Sequence, residues 1–289
     1  MPAAGSRNML EISGSTRIFP VIGWPVEQVK APALFNAYFK RHGIDARVIP
    51  LKIAPSGYLS AVRMLMAAEN VGGILVSIPH KPLSVDAVDR PTPRAVLAGA
   101  CNAIYKSADG QLVGDLIDGE GFIRAFDRTC GDTRFDWQRA KALVVGSGGV
   151  GCAVAAALAA RGIGHVAIYD TRREQAEALR QRLQDMFTET EVVIGAPSAA
   201  GYDLVVNSTP LGMGPDDPLP LDLDGIAPSC IVADCGMKIE MTRLLLQAQR
   251  HGCRIQKGRE MMIEQAPLYL ELFGWPGVSS DAFRVLEAI

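Results

Sequence analysis

No stretch of the 289-residue sequence approaches an uninterrupted apolar run of about 18 residues, the length that a membrane-spanning helix needs. The N-terminal segment MPAAGSRNMLEISG also lacks the central apolar region that a secretory signal peptide requires. We therefore expect neither a membrane anchor nor export, and we expect a cytoplasmic location.

Neither sign of charge is in large excess, because the sequence has 29 Lys and Arg residues and 31 Asp and Glu residues, for a net charge of -2. Nucleic acids and anionic membrane surfaces attract basic proteins, so we expect neither as a partner. The six cysteines, at positions 101, 130, 152, 230, 235 and 253, lack the paired spacing that is typical of zinc sites. We expect reduced, packed thiols and no metal site.

A glycine-rich segment occupies residues 141–170, KALVVGSGGVGCAVAAALAARGIGHVAIYD. An apolar run typical of a buried strand leads into the glycines, and an alanine-rich helix and a second apolar run follow them. Gly146 permits a tight turn, Gly148 lets the backbone approach a pyrophosphate, and Gly151 lets the helix pack against the strand. The helix N-terminus favours phosphate, and Asp170 ends the second strand, where it can bind ribose hydroxyls. This order predicts a dinucleotide-binding site.

The remaining sequence alternates short apolar runs with segments of helical periodicity, which predicts an α/β fold with a largely parallel sheet. Hydrophobic residues make up 48% of the chain, and its length suits two domains. We predict an α/β substrate-binding domain at residues 1–125, completed by C-terminal helices at 256–289, and a Rossmann domain at 126–255. We also predict helices at Gly121–Arg128 and Met261–Phe273, and a cleft between the two domains.

Lys81 follows a strand end, which places it at the carboxyl edge where open α/β sheets bind ligands, and Asp118 lies in a turn after another apolar run. A partly desolvated lysine at such an edge can accept or donate a proton, because burial disfavours the charged ammonium group. The residues alone leave two alternatives open, a solvated loop lysine and a carboxylate that only caps a helix or forms a turn. Asn102 lies within an apolar stretch and would need hydrogen-bond partners if buried.

Seven short motifs follow one another along the chain. They are G-x-P-V-x-x-x-K-x-P at 23–32, G-I-L-V-S-I-P-H-K at 73–81, A-G-A-C-N at 98–102, G-D-L-I-D-G at 114–119, G-S-G-G-V-G at 146–151, N-S-T-P-L-G-M at 207–213 and M-x-x-x-Q at 261–265. In this order and spacing they resemble the shikimate/quinate dehydrogenase family. The resemblance implies a substrate domain, a Rossmann domain and hydride transfer between a ring alcohol and a nicotinamide cofactor.

The same resemblance implies roles for individual residues. Lys81 would accept the alcohol proton during oxidation, and Asp118 would hold Lys81 and share the hydrogen bond to the hydroxyl. Asn102 and Gln265 would bind ring hydroxyls. The nicotinamide neighbours would be Met213, Gly258 and Met261, and the other cofactor contacts would be Gly146, Gly148, Gly149, Val150, Gly151, Asp170, Thr171, Arg172, Asn207, Ser208, Thr209 and Pro210.

The chain departs from the family at the place that binds the substrate carboxylate. Val29 and Ala31 stand where family members carry two serines, and neither side chain can donate a hydrogen bond. Burying a carboxylate without hydrogen-bond donors costs free energy, although the hydroxyl of Ser77 can still donate a hydrogen bond to it. The sequence leaves two alternatives, an acid held by Lys30 or Gln28, and a substrate without a carboxylate at that place.

The end of the second Rossmann strand leads us to predict NAD rather than NADP. In NADP-using relatives an arginine at the position of Thr171 holds the 2′-phosphate, and the charge of Asp170 would repel that phosphate. Arg172, one residue further on, could still swing back toward it, so NADP is our second choice.

Taken together, the sequence predicts an NAD-dependent oxidoreductase that oxidises a ring hydroxyl of shikimate, quinate or a close cyclic polyol. One alternative is a dehydrogenase for a related alicyclic alcohol without the usual carboxylate. Another is a regulatory protein that binds nucleotide without turnover, but Lys81 and Asp118 argue against it, since a sensor needs no proton-transfer pair. The expected partner is a small molecule, and a homodimer is left open.

Overall fold

The structure, a computed structural model, describes residues 12–131, 135–212, 214 and 216–286. Its strands form two six-stranded sheets, the first within residues 17–115 and the second within residues 141–256. The predicted α/β class, with a substrate domain and a Rossmann-type domain, is confirmed. Within the described ranges, no helix is both long enough and apolar enough to cross a membrane.

The first sheet combines parallel and antiparallel strands. Its strands are β1 (Arg17–Gly23), β2 (Ala46–Lys52), β3 (Ile74–Val76), β4 (Arg90–Pro91), β5 (Ala103–Lys106) and β6 (Leu112–Asp115), in the order β2-β1-β3-β5-β6-β4. β1 pairs in parallel with β2 and β3, whereas β5 runs antiparallel to β3 and β6. β5 departs from the parallel arrangement because a tight turn with Gly110 at φ 83° joins it directly to β6.

The second sheet is parallel throughout. Its strands are β7 (Lys141–Val145), β8 (His165–Tyr169), β9 (Glu191–Ile194), β10 (Leu204–Asn207), β11 (Ile231–Asp234) and β12 (Arg254–Gln256), in the order β12-β11-β10-β7-β8-β9. Strand β7 has β8 on one side and β10 on the other, so the strand order reverses there. A crevice opens beyond the carboxyl ends of strands at such a reversal, and α/β sheets bind ligands in it.

In chain order the helices are α1 (Ala31–His42), α2 (Tyr58–Ala67), α3 (Pro93–Ala98), α4 (Asp118–Cys130), α5 (Gly149–Ala160), α6 (Arg173–Met186), α7 (Arg243–Arg250), α8 (Gly258–Leu272) and α9 (Asp281–Arg284).

The C-terminal helices α8 and α9 pack against the first sheet and its helix α1. Phe273, just after α8, stacks on Phe19 of β1 with ring centroids 4.8 Å apart. Phe283 of α9 stacks on Tyr38 of α1 at 4.6 Å, so this segment shares the core of the first sheet. The domain limits at residues 125 and 255 stay a prediction.

Two helices that flank the cleft begin earlier than the sequence predicts. α4 begins at Asp118 rather than Gly121, and α8 begins at Gly258 rather than Met261. Glycine is a poor helix former, which hid both first turns from the sequence pattern. A Cβ atom at Gly121 would lie 2.2 Å from Cγ of Gln265, so glycine at this position permits the close approach of α4 and α8.

Candidate active site

Lys81 and Asp118 form an ion pair in the cleft between the two sheets. Lys81 follows β3 at the start of a short 3-10 turn, and Asp118 is the first residue of α4. Lys81 Nζ lies 2.5 Å from Asp118 Oδ2, and the two side chains are only 12% and 6% exposed. The structure therefore brings together the two residues predicted to move the proton, and Lys81 is not a solvated loop lysine.

Gln265 and Asn102 hold Asp118 in place from two directions. Gln265 Nε2 on α8 donates to Asp118 Oδ1 at 2.9 Å. Asn102 Oδ1 accepts the backbone N–H of Ile117 at 3.0 Å, directly before Asp118, while its Nδ2 is buried without a partner among the described residues. Asn102 is only 1% exposed and is not among the residues that line the cavity above the ion pair, and its predicted binding of a ring hydroxyl stays a prediction.

A cavity of about 210 Å³ lies over the ion pair. Its polar lining includes Lys81, Asp118, Ser77 and Gln265, all of which the sequence predicted as catalytic or substrate-binding residues, and also Gln28 and Lys30. Its remaining lining is mostly apolar and includes Val29, Ala31, Phe35, Val150, Met237, Gly258, Met261, Met262 and Tyr269. The residues predicted from the motifs at 23–32, 73–81, 114–119 and 261–265 therefore share one cavity.

A second cavity, of about 710 Å³, lies at the carboxyl edge of the second sheet. The predicted cofactor residues on its lining are Gly146, Gly148, Asp170, Thr171, Arg172, Ser208, Thr209 and Pro210. Val150 of the glycine loop lines the first cavity, and a Cβ atom at Gly149 would lie 3.2 Å from Cδ of Lys81. The first turn of α5 therefore stands between the ion pair and the larger cavity. Met213, the remaining predicted cofactor contact in this region, lies outside the described residues.

The glycine loop has the geometry that a bound pyrophosphate needs. A Cβ atom at Gly151 would lie 1.8 Å from the carbonyl oxygen of Gly146, so glycine allows α5 to pack against the end of β7. Gly148, the N-cap of α5, has open space where its Cβ would stand. An unobstructed backbone at a helix N-terminus offers N–H groups to an anion. The loop fits the diphosphate of a dinucleotide.

Asp170 is held by the residues around it. Its Oδ2 accepts hydrogen bonds from Ser147 N at 2.7 Å and Ser147 Oγ at 2.8 Å. Its Oδ1 accepts from Arg172 N at 2.9 Å and from Arg172 Nε at 3.4 Å. Burial raises the pKa of Asp170, but these four hydrogen bonds outweigh burial and lower that pKa below its ordinary value. Asp170 thus fastens the glycine loop to the end of β8.

Asn207 shapes the loop that closes the larger cavity. Its Oδ1 accepts from Thr209 N at 3.0 Å and Thr209 Oγ1 at 2.7 Å, and its Nδ2 donates to the carbonyl of Leu211 at 3.2 Å. Asn207 is fully buried and does not line the cavity, whereas Ser208, Thr209 and Pro210 do. The structure therefore shows Asn207 in contact with this loop, and its predicted contact with the cofactor stays a prediction.

Two residues that contribute to these sites were missed in the sequence. Tyr269 lines the smaller cavity, and its hydroxyl donates to the carbonyl of Asn102 at 3.2 Å. It lies one helical turn beyond Gln265 and two beyond Met261, so the spacing of four residues along α8 was a usable signal. Ser147 occupies a variable position of the glycine motif, where no pattern marks it as the partner of Asp170.

Comparison with known proteins identifies relatives along nearly the whole chain. A family model described as the shikimate dehydrogenase substrate binding domain matches residues 21–104, and a ThiF family model matches residues 123–177. A shikimate dehydrogenase (NADP(+)) from Rhodospirillum rubrum is 34% identical, over 96% of this chain and 98% of its own. A crystal structure of a shikimate dehydrogenase with NADP+ superposes with a TM-score of 0.85 at 25% identity, covering 95% of both chains. A 5-ketofructose reductase of Gluconobacter sp. strain CHM43 superposes with a TM-score of 0.80 at 26% identity, covering 93% and 96%.

The prediction that NAD is preferred over NADP is wrong. The Rhodospirillum rubrum relative is named as an NADP(+) enzyme, and five further relatives, 32% to 37% identical, carry the same name. The physical reason lies in Asp170, whose roughly four lone-pair sites already accept four hydrogen bonds from Ser147 and Arg172. The Asp170 carboxylate therefore holds the glycine loop through its hydrogen bonds with Ser147, and it does not exclude a phosphate next to Arg172.

The ion pair, the glycine loop and the two adjoining cavities occur together within one chain. The relative from Rhodospirillum rubrum matches across both sheets, since the alignment spans 284 residues. The chain therefore belongs to the shikimate/quinate dehydrogenase family and is an oxidoreductase.

Proposed function

We propose that this chain interconverts a secondary alcohol of a polyol and the corresponding ketone with NADP(H), with Lys81 and Asp118 handling the proton. The observation that carries the proposal is the ion pair, with 2.5 Å between Lys81 Nζ and Asp118 Oδ2, which lines the smaller cavity next to the first turn of α5. When bound, the nicotinamide would supply or accept the hydride. The chain's own task is to orient the alcohol or ketone and to move one proton.

Lys81 suits the proton-transfer role because of its neighbours. Asp118 fixes the position of the ammonium group, and Gln265 in turn holds the second oxygen of Asp118 at 2.9 Å. In ketone reduction the Lys81 ammonium would donate its proton to the carbonyl oxygen, and in alcohol oxidation the Lys81 amine would accept the hydroxyl proton. A positioned acid–base group of this kind contributes about 10²–10⁴ in rate.

The proposed use of NADP(H) rests on Arg172. Its backbone N–H and Nε both contact Asp170, which holds the residue at the rim of the larger cavity. The Arg172 side chain is 62% exposed, so its terminal nitrogens can bind a phosphate while Ser147 and the backbone N–H of Arg172 continue to hold Asp170. The NADP(+) names of the relatives point the same way.

The experiment that tests this proposal is a substrate panel in both directions. Shikimate, quinate, cyclic polyols without a carboxylate and sugar ketones are offered with NADP(H) and with NAD(H), and the absorbance of the reduced nicotinamide is followed. We expect turnover of at least one polyol or ketone, faster with NADP(H). Tight NADPH binding without turnover of any compound would instead favour a nucleotide-binding regulator and would contradict the proposal.

A further inference from the structure

We propose that the natural substrate is an uncharged polyol or polyhydroxy ketone, which carries a neutral group where shikimate carries its carboxylate. This inference rests on the function proposed above, because it presumes that the cavity over Lys81 holds the substrate. It concerns the lining of that cavity, in particular Val29, Ala31, Met237 and Met262, together with the charges that border it.

The charge inside the cavity is already balanced. Lys81 and Asp118 are each other's partners at 2.5 Å, with exposures of 12% and 6%, so neither charge is left over for a ligand. Within the described lining, the one further charged residue is Lys30, which is exposed to solvent at the start of α1. An ion pair between a ligand and an exposed lysine gains little, because water screens both charges.

The neutral donors of the cavity are few. Gln28 Nε2 already donates to the carbonyl of Pro25 at 2.9 Å, which directs its amide toward the backbone of its own loop. Ser77 brings one hydroxyl, and Gln265 Nε2 gives one of its two N–H groups to Asp118 and keeps the other. These two donors suit a ligand hydroxyl, which needs one or two hydrogen bonds. A carboxylate accepts about four, and a buried carboxylate that lacks them is strongly disfavoured.

Most of the remaining cavity lining is a deformable apolar wall. Val29, Ala31 and Phe35 pack with the core of the first sheet, and Met237 and Met262 complete the wall from the second half of the chain. Methionine side chains are unbranched and polarizable, so they adapt to ligands of different outline. This wall accepts a hydrogen atom, a methylene or a hydroxymethyl group on the substrate more readily than an anion.

A matched pair of ligands tests the inference. Shikimate and methyl shikimate differ only at the carboxyl group, which is an anion in the first and a neutral methyl ester in the second. The binding of each is measured by its inhibition of the reaction with the substrate that the panel identifies, and by calorimetry with the NADP(H)-bound enzyme. For the wild type we expect methyl shikimate to bind at least about tenfold more tightly than shikimate. In Val29→Ser/Ala31→Ser we expect shikimate to gain at least about tenfold, while the melting temperature reports that the variant is folded.

The possible results distinguish a failure of the uncharged-substrate inference from a failure of the proposed function. Equal binding of the two ligands, or tighter binding of shikimate, overturns the inference while leaving the proposed function intact. A loss of shikimate binding in Lys30→Met, with methyl shikimate unaffected, would show that Lys30 holds a carboxylate and would also overturn it. Absence of turnover with every compound of the panel would contradict the proposed function itself.

Discussion

Lys81 Nζ lies 2.5 Å from Asp118 Oδ2, although the two residues are 37 positions apart in the chain. The contact joins the end of β3 to the first turn of α4, and Gln265 of α8 secures the second oxygen of Asp118. Three separate segments of the chain thus converge on one carboxylate. An ion pair that is almost fully buried and held on both sides is a preformed unit for proton transfer.

Replacing Asp118 tests whether the pair works as a unit. Asp118→Asn keeps the shape of the side chain but removes the charge that positions the Lys81 ammonium, and we expect kcat to fall about 10²-fold or more. Asp127→Asn is the matched control, since Asp127 lies on the same helix, is exposed and pairs with Arg161 at 3.2 Å. Equal kcat values for the two variants would contradict a role for Asp118 in proton transfer.

Two adjacent arginines allow a matched test of cofactor choice. Arg172 lines the larger cavity beside Asp170, whereas Arg173 pairs with Glu177 at 3.4 Å on the outside of α6. A hydrogen bond to a charged group stabilises by about 1.5–3 kcal/mol, so Arg172→Ala should weaken NADPH binding about tenfold or more. Binding of NADH should be unaffected, because it lacks the 2′-phosphate, and Arg173→Ala should change neither constant. A similar loss for both cofactors in Arg172→Ala would assign the guanidinium to another part of the dinucleotide.

Two glycines of the same loop separate folding from ligand binding. A Cβ atom at Gly151 would meet the carbonyl oxygen of Gly146 at 1.8 Å, so Gly151→Ala should lower the free energy of unfolding by at least about 1–3 kcal/mol. Gly148 has space for a Cβ atom, so Gly148→Ala should melt near the wild-type temperature but bind NADPH more weakly. Thermal melts and fluorescence titrations distinguish the two effects. Undiminished NADPH binding by Gly148→Ala would show that the pyrophosphate does not approach this backbone.

His80, directly before Lys81, predicts an acid-sensitive stability. Burial lowers the pKa of His80, and the contact of its Nε2 with the backbone oxygen of Ile53 at 2.8 Å opposes this only in part. Its ring is fully buried and stacks on Tyr58 at 4.5 Å. An unfolded histidine has a pKa of about 6.5. Below that pH the unfolded chain therefore binds a proton at His80 that the folded chain does not bind. The free energy of unfolding should therefore be undiminished above about pH 6.5 and fall below it.

The measurement compares urea unfolding at about pH 7.5 and about pH 5.5 in the wild type, His80→Gln and His251→Gln. His251 is exposed and serves as the control. The loss on acidification should be smaller in His80→Gln than in the other two, by at most about 1.36 kcal/mol per pH unit. The same pH dependence in all three proteins would show that His80 titrates alike in the folded and unfolded states.

The sequence predicted the positions of the site better than its contacts. Strand ends and glycines follow from local patterns, so Lys81 and the glycine loop were predicted at the carboxyl ends of strands, and Asp118 in a turn after an apolar run. Contacts between distant segments leave no such pattern. The bond from Asn102 to the backbone of Ile117, which fixes the start of α4, depends on two strands turning back on each other. Nothing local to either residue predicts it.

The cofactor prediction failed for a related reason. A motif treats Asp170 as a free carboxylate, but its partners come from Ser147, a position that the motif leaves open. Short elements were also missed, among them β4 and α3, which adjoin a proline-rich stretch. Thr92 caps α3 by accepting from Ala95 N at 3.4 Å, with Pro93 at the first helical position. Threonine followed by proline is a usual helix start, so this signal was present in the sequence.

The rate of a single turnover of Lys81→Ala measures whether the Lys81 side chain moves the proton. NADPH-saturated enzyme is mixed with the ketone that the panel identifies, and the loss of reduced nicotinamide is followed beside the wild type. We expect a rate about 10²–10⁴ times lower, with the dissociation constant of NADPH and the melting temperature little changed. A Lys81→Ala enzyme that reacts at a near wild-type rate would contradict proton transfer by Lys81.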